Sequence, residues 1–496
     1  MIYPSLLYLD SDDRSGNKIE YSVFSDLKLT AFLSEAVISA VKTPCRADEI
    51  ILRQNVFKLL ENTDFRRHFG VLFRCIDRLD ILDDCMNNAK TDIEKQMIFI
   101  SLADGLLDFF KKAALGVIPE PQTENCVLYC RFKKYFTAEN NKNHYKRIAE
   151  ELRAVLPLNE KIKSNMLKIH GETIKVSQGT PAAYIDKLAE CADDLGLPQL
   201  NLKITLNKKI APNIVGAMAG LYPEAAAAFK EFYESYKNYY ISDILNYKKE
   251  IGFYLEFLNV FDRVKQNGLP LNYPVVTDEK TIRVRDAYDI TLLAKNETKI
   301  IPNDIDFNTG EPFFYLTGAN GGGKTTYLRT VGVTVLMFLN GCPVACQTAE
   351  IYPLTGIFTH FPRDERFENT GRFEEEEGRA QEILKNMTDA SVVLLNETYS
   401  TAAEEDAVAL TNKLAVQIYN SGAYGIYITH QHDITGTQIP YLNVVVDKND
   451  KNRRTYKVAK KRNEDGSLAA DVLKKYALTK EALYERFMSG GVDFKS

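Results

Sequence analysis

The stretch Phe313-Phe-Tyr-Leu-Thr-Gly-Ala-Asn-Gly-Gly-Gly-Lys-Thr-Thr326 constrains this chain more than any other. Its spacing, Gly318-x-x-x-x-Gly323-Lys324-Thr325, is that of a phosphate-binding P-loop. Both flanks such a loop needs are present, since Phe313 to Leu316 reads as a strand and Tyr327 to Leu339 as a helix. Glycines let the backbone wrap closely round phosphate oxygens, and the helix start adds the positive end of its dipole. Gly318, Ala319, Asn320, Gly321, Gly322, Gly323, Lys324, Thr325 and Thr326 are therefore candidates for holding a nucleoside triphosphate. Lys324 would reach the outer phosphates, and the Thr325 hydroxyl is placed to ligate magnesium.

A chain of 496 residues exceeds one ordinary core, and a prior of roughly 150 residues per domain suggests about three units. The formal charge of −5 gives no global attraction to nucleic acid or membrane, so any such affinity must sit on a local patch. Eight cysteines without regular spacing, and no basic-then-apolar leader, point to reduced thiols in a cytoplasm. No run approaches the ~18 apolar residues of a membrane span, which counts against a transporter.

Residues 1–40 mix apolar clusters with polar turns and stay unassigned. From Arg46 the text turns helical: Ala47 to Leu60, Val71 to Leu82 and about Glu94 to Ala114 carry helical apolar spacing, the last closed by Pro119 and Pro121. Between Arg131 and His170, ten Lys or Arg stand against four Glu, interleaved with Phe132, Tyr135, Phe136 and Tyr145. That mixture suits a nucleic-acid backbone contact with stacking, or a solvated helical face; Lys203, Lys208 and Lys209 extend the same patch. From Glu224 to about Lys265, steps of three and four between apolar residues predict one helix. At ~1.5 Å per residue it would be roughly 60 Å long, a lever needing a partner helix. The helical half then passes through Asp278 to Leu293.

The second half alternates strand and helix, the pattern of a mostly parallel sheet. Val392 to Glu397, Tyr424 to His430 and Tyr441 to Asp447 read as strands, and the acids Glu374 to Glu377 open a helix. Nucleotide hydrolysis also needs a metal anchor and a water-aligning group from strand ends beside the P-loop. Asn396-Glu397 supplies them: Glu397 is the candidate general base, while Asn396, at the metal position, lacks the charge of the usual aspartate. Weaker magnesium binding, slower turnover, or both follow from that neutrality. A bland reading, a polar cap on a core strand, stands beside it. His430, at the tip of the next strand, is a candidate for sensing the γ-phosphate. Cys126/Cys130 and Cys342/Cys346 lack a second ligand pair at zinc spacing and read as buried thiols. His360 and His432 have no partner that the sequence argues for, and Ser489-Gly-Gly491 lies in the wrong order for a transporter signature.

These residues resemble the ATPase domain of the MutS family. Ile301-Pro-Asn-Asp-Ile305 looks like the family's opening strand, and Thr317-Gly-Ala-Asn-Gly-Gly-Gly-Lys-Thr-Thr326 is similar to its Thr-Gly-Pro-Asn-Met-Gly-Gly-Lys-Ser-Thr. Phe373-Glu-Glu-Glu376, the strand end and loop from Asn396 to Asp406, Thr429-His430 and the closing Ser467 to Phe487 follow in the family's order. More weakly, Leu52-Arg-Gln54 and Glu250-Ile-Gly-Phe-Tyr254 are similar to core and lever helices. The resemblance implies an α/β P-loop ATPase domain of ABC type with a mostly parallel sheet over 296–496, including a C-terminal helical hairpin. It implies an all-α core and lever domain with a long stalk over 41–295, in which about 94–114 pairs with 224–265 and 115–222 holds a reduced clamp. It also implies ATP and Mg2+ as ligands, with Lys324, Glu397 and His430 catalytic and Thr325 and Asn396 at the metal. Double-stranded DNA held by phosphate contacts and a homodimer with composite sites complete the expectation. The chain departs from the family's pattern in starting almost at the core, without an N-terminal mismatch-reading domain, so DNA binding without mismatch reading is expected. A nucleotide-switched scaffold gripping protein is the alternative.

Overall fold

The computed structural model describes residues 3–9, 18–115, 125–163, 166–170, 173–177, 220–238, 242–295, 300–362, 372–399, 404–429, 438–446 and 454–460. Two compact units emerge: Met1–Ser11 with Asn55–Leu255, and Asp12–Gln54 with Glu256–Ser496. The chain begins with short helices α1 (Tyr21–Asp26) and α2 (Glu35–Ala40), then α3 (Ala47–Leu59). Serine at the start of α2 explains its onset, because the Ser34 hydroxyl accepts from the Val37 N–H.

The helical unit is built on α4 (Thr63–Asn87) and α5 (Asp92–Ala114). Asn62 and Thr91 cap them, and acids in both first turns complement the dipole. Phe65, Phe69, Leu72, Ile76 and Leu79 place a narrow apolar stripe on α4, with every one of them buried. Helices α6 (Val127–Thr137) and α7 (Glu139–Lys163) follow, then the antiparallel hairpin β1 (Met166–His170) and β2 (Thr173–Ser177). Next come α8 (Pro223–Tyr236) and α9 (Ser242–Gln266).

One expectation changes here. The single rod over 224–265 is two helices, because α8 stops at Tyr236 and Lys237–Asn238 form a turn. Asparagine and serine compete for backbone hydrogen bonds and favour helix ends, and Asn238 and Ser242 bracket the break. Apolar spacing could not see it: Phe229, Phe232 and Tyr236 before it and Ile244, Tyr247 and Ile251 after it are all buried. At about 1.5 Å per residue, helices of 14 and 25 residues are roughly 21 and 37 Å long. The expected pairing of 94–114 with this region is present, since Phe229, Phe232 and Tyr236 share a core with Met97, Phe99, Ile100 and Ala103.

In the basic segment the packing favours one of the two readings, the solvated helical face. Phe132 and Phe136 are core residues, edge-on to Tyr247 and to Phe109 and Phe110 respectively, and Tyr145 packs on the Phe110 ring. Those three rings cannot stack on bases and serve the helix core, while Lys134, Lys142, Lys146, Arg147 and Arg153 are exposed.

In the α/β unit, β3 (Val275–Val276), β4 (Thr281–Ala287), β5 (Asn303–Asn308) and β7 (Thr348–Ile351) form one sheet in the order β3-β7-β4-β5. Strand β4 and the 3-10 turn Ile290–Lys295 stand where the helical half was expected to continue. Buried Ile282 and Val284 alternate with exposed Arg283 and Arg285, which is the two-residue period of a strand.

The larger sheet contains β6 (Phe313–Thr317), β8 (Gly356–His360), β9 (Ser391–Asn396), β10 (Tyr424–Ile428), β11 (Tyr441–Val446) and β12 (Arg454–Ala459). Its order is β12-β11-β6-β10-β9-β8, parallel throughout except for the antiparallel edge strand β12. Helices α10 (Lys324–Leu339), α11 (Arg372–Asn386) and α12 (Glu404–Ser421) connect it. Every residue of α10 from Tyr327 onward is buried. The helix packs on β8, β9 and β10 on one side and on β4 on the other, so it needs an apolar surface all round. Residues from the opening of the chain complete that cover: a Cβ on Gly332 would lie 2.4 Å from Leu27 and 2.9 Å from Leu394. Among the described residues, no helix is long and apolar enough to cross a membrane.

Candidate functional site

Strand β6 runs into the glycine loop and α10 leaves it, as a phosphate cradle requires. Gly318, Gly321 and Gly323 take φ of +127°, +71° and +97°, a region open to glycine and costly for other residues. At Gly322 the constraint is space, since a Cβ would meet the Ala319 carbonyl oxygen and Val444 Cγ1, each at 2.9 Å. Val444 of β11 thus floors the loop, while the Thr317 hydroxyl donates to Asn443 Oδ1 beside it. The first N–H groups of α10 have no partner within the helix and point towards the loop.

Lys324 is 6% exposed, and its ammonium donates to the Gly318 carbonyl at 2.8 Å and to Asn320 Oδ1 at 3.2 Å. Burial holds its pKa below the ordinary lysine value; Glu397 nearby opposes that shift and Arg454 adds to it. Thr325 is exposed at the loop's edge and Thr326 half-buried.

Asn396 ends β9, one strand away from β6 across β10. It is 8% exposed, and its Oδ1 is buried without a hydrogen-bond partner. Glu397 follows at φ +53°, its N–H bonded to the Ile428 carbonyl at 3.0 Å. Beside Glu397 lies a cavity of about 40 Å³, room for roughly one water, lined also by His360, Glu375, Glu376 and Arg379. Arg379 donates to the Thr359 carbonyl at 3.2 Å and lies 3.6 Å from Asp26.

Three contributors were not legible in the sequence. His360, which the sequence left without a partner, has Nδ1 3.0 Å from the Thr398 hydroxyl, next to Glu397. Its place at the carboxyl end of a parallel strand was the available signal. Tyr456 lays its ring edge 3.2 Å from the Cβ position of Gly323, half exposed, at φ +57°. Asn303 pins that strand by donating to the Tyr456 carbonyl at 3.0 Å and accepting from the Val458 N–H at 2.9 Å. An exposed aromatic ring beside a phosphate cradle is suited to stack on a base.

The residues fit a nucleotide and its metal on two counts: a cradle that a side chain would fill, and an orphaned amide oxygen at the expected metal position. His430, the loop 400–403, the segment 363–371 and the expected hairpin 467–487 lie outside the described residues. Among the described residues no cluster of His, Cys, Asp and Glu is arranged for a metal ion. Burial pushes the Cys126 and Cys346 thiols up to about 12, in keeping with buried, unreactive sulfur.

A glycine cradle at a strand-to-helix junction, with an acid beyond the end of a parallel strand one removed from it, defines the α/β unit as a P-loop nucleotide-binding domain. Residues 314–479 match MutS domain V, which is an ATPase domain. Similar proteins include the DNA mismatch repair protein MutS of Oceanobacillus iheyensis, 27% identical over 37% of this chain and 21% of the relative. MutS of Caldanaerobacter subterraneus subsp. tengcongensis is 28% identical over 54% of this chain and 30% of the relative. The DNA mismatch repair protein MutS 2 of Halobacterium salinarum is 31% identical over 29% of this chain and 17% of the relative. MutS domain V thus stands in the C-terminal half of the chain, and the similar proteins are all of the MutS family. The chain spans less than a third of the length of these relatives.

Proposed function

We propose that the protein is an ATPase whose nucleotide cycle drives a lever on double-stranded DNA, as a homodimer. The observation that carries the reading is the pairing of the glycine cradle with Glu397 across a single intervening strand. Lys324 and the α10 N-terminus bind and orient the phosphates. Thr325 and Asn396 would hold Mg2+, which when bound neutralises phosphate charge. Glu397 takes the proton of the attacking water on its carboxylate, and His430 reports the state of the γ-phosphate. A neutral Asn396 keeps an acceptor but loses a charge, so turnover is slow. Helices α3 and α9, in which the boundaries between the two compact units fall, are the natural carriers of the motion.

Burial of Phe132 and Phe136 favours a second reading, a nucleotide-switched scaffold that grips protein. Steady-state hydrolysis with and without linear and branched duplex DNA at fixed salt, against Lys324→Ala, separates the two. DNA-stimulated turnover with binding that falls steeply with salt supports the lever on DNA, because phosphate neutralisation releases counterions. Turnover indifferent to every DNA supports the scaffold, and turnover no higher than Lys324→Ala removes the ATPase. Glu397→Ala is expected to bind ATP and stop hydrolysing it.

A further inference from the structure

The turn that carries Glu397 is unusual in what it is made of. Glu397 and Tyr399 both sit at positive φ, +53° and +66°, where a side chain is strained and glycine would be at ease. Strain of this kind persists only where surrounding contacts over-determine the backbone. Here they do. The Tyr399 phenol, 3% exposed, donates to Glu377 Oε2 on α11 at 2.6 Å. Glu377 Oε1 accepts from Gln381 at 2.8 Å, so both oxygens of that carboxylate are engaged. Tyr427 donates to the Thr398 carbonyl at 3.2 Å, with Thr411 3.1 Å behind it. The short Tyr399 bond is charge-assisted and, with the Gln381 bond behind it, holds the Glu377 carboxyl below its ordinary range; burial foremost, and this bond next, raises the phenol.

We infer that Tyr399 is a positioning residue for hydrolysis: its bond to Glu377 latches the Glu397 turn to α11, so that the general base is aimed only while the latch is closed. The inference rests on the ATPase reading of the site. Because α11 also supplies Glu375, Glu376 and Arg379 to the cavity beside Glu397, the latch fixes both walls of that cavity to one another.

Tyr399→Phe removes the bond and keeps the ring. It is expected to lower kcat roughly ten-fold or more, the scale set by small misplacements of a catalytic group, with KM for ATP unchanged. Glu377→Ala should match it, the double variant should be no slower than either, and Glu377→Gln, which keeps an acceptor oxygen, should recover most of the rate. Tyr399→Gly relieves the backbone strain yet loses the anchor, and is expected to be as slow as Tyr399→Phe. Wild-type kcat in Tyr399→Phe, or in Tyr399→Gly, overturns the latch. If the wild type hydrolyses no faster than Lys324→Ala, the ATPase reading fails instead. The latch is then read by amide exchange at Glu397, faster in both Tyr399→Phe and Glu377→Ala if the latch holds the turn, and unchanged in both if it does not.

Discussion

Two loops meet at this site and reach similar backbone geometry by opposite means. In the P-loop, positive φ falls on Gly318, Gly321 and Gly323, residues that adopt it freely. In the turn after β9 it falls on Glu397 and Tyr399, which pay in strain and are held by side chains from β10, α11 and α12. The contrast separates a conformation written into the chain locally from one imposed by its surroundings. The P-loop should therefore fail when its own residues or its footing change, and the β9 turn when its distant props are removed.

The largest expected effect strikes the footing of the P-loop. Arg329 on α10 donates to Asp289 at 2.6 Å, the pair 7% and 0% exposed, and Asp289 also accepts from the Thr291 N–H at 2.9 Å and hydroxyl at 2.7 Å. Removing one member leaves a buried charge unpaired, so Asp289→Ala is expected to destabilise the protein by about 3–5 kcal/mol in chemical denaturation. Next comes the loop itself. Gly322→Ala puts a Cβ 2.9 Å from a backbone oxygen, which must move, and a distorted cradle should lower ATP affinity by about 100-fold, read by calorimetry. A Gly322→Ala protein that binds ATP normally would show that the cradle bends as easily as the β9 turn, and would erase the comparison.

How much of this the sequence disclosed follows the same division. The P-loop's strand and helix, the Val392–Asn396 strand and the acid-led helix at Glu374 rest on local spacing and residue type, and local signals are what a sequence carries. The break after Tyr236 was hidden because buried residues continue at three- and four-residue steps on both sides of it. The segment 281–287 carries the alternation of a strand, but it is short and lies next to helical patterns that mask it. Phe132 and Phe136 mixed with lysines look alike in a stacking face and in an amphipathic helix, and only packing separates them. His360 with Thr398, Asn303 with Tyr456, and Leu27 against Gly332 join residues 38, 153 and 305 positions apart, by subtraction of 360 from 398, 303 from 456 and 27 from 332. No periodicity reaches across such distances.

A smaller effect sharpens the comparison at the metal position. Asn396 Oδ1 is buried and unsatisfied, so Asn396→Asp introduces a charge where only an amide stood. Without Mg2+ the variant should be less stable than wild type, by at least about 1–3 kcal/mol, because an unpaired buried carboxylate costs more than the unpaired amide oxygen it replaces. With Mg2+ its melting temperature should rise while that of wild type stays nearly constant, and turnover should increase several-fold. A variant blind to Mg2+ would remove position 396 from the metal site.

The smallest effect is a pH dependence of ATP binding. Burial foremost, and Arg454 in addition, hold the Lys324 pKa below 10.5 in the free site, against the opposing pull of Glu397. Phosphates favour the ammonium and raise that pKa on binding. The sign follows: affinity is full while pH stays below the free-site pKa, falls as pH climbs through it, and levels off above the pKa of the bound form. The fall therefore begins on the acid side of 10.5 and cannot exceed about ten-fold per pH unit for one proton. Lys324→Arg keeps its charge throughout this range and should bind ATP with little pH dependence over it, even if more weakly. Equal slopes in wild type and Lys324→Arg would mean that another group titrates, and would detach the lysine's burial from the way this cradle holds its ligand.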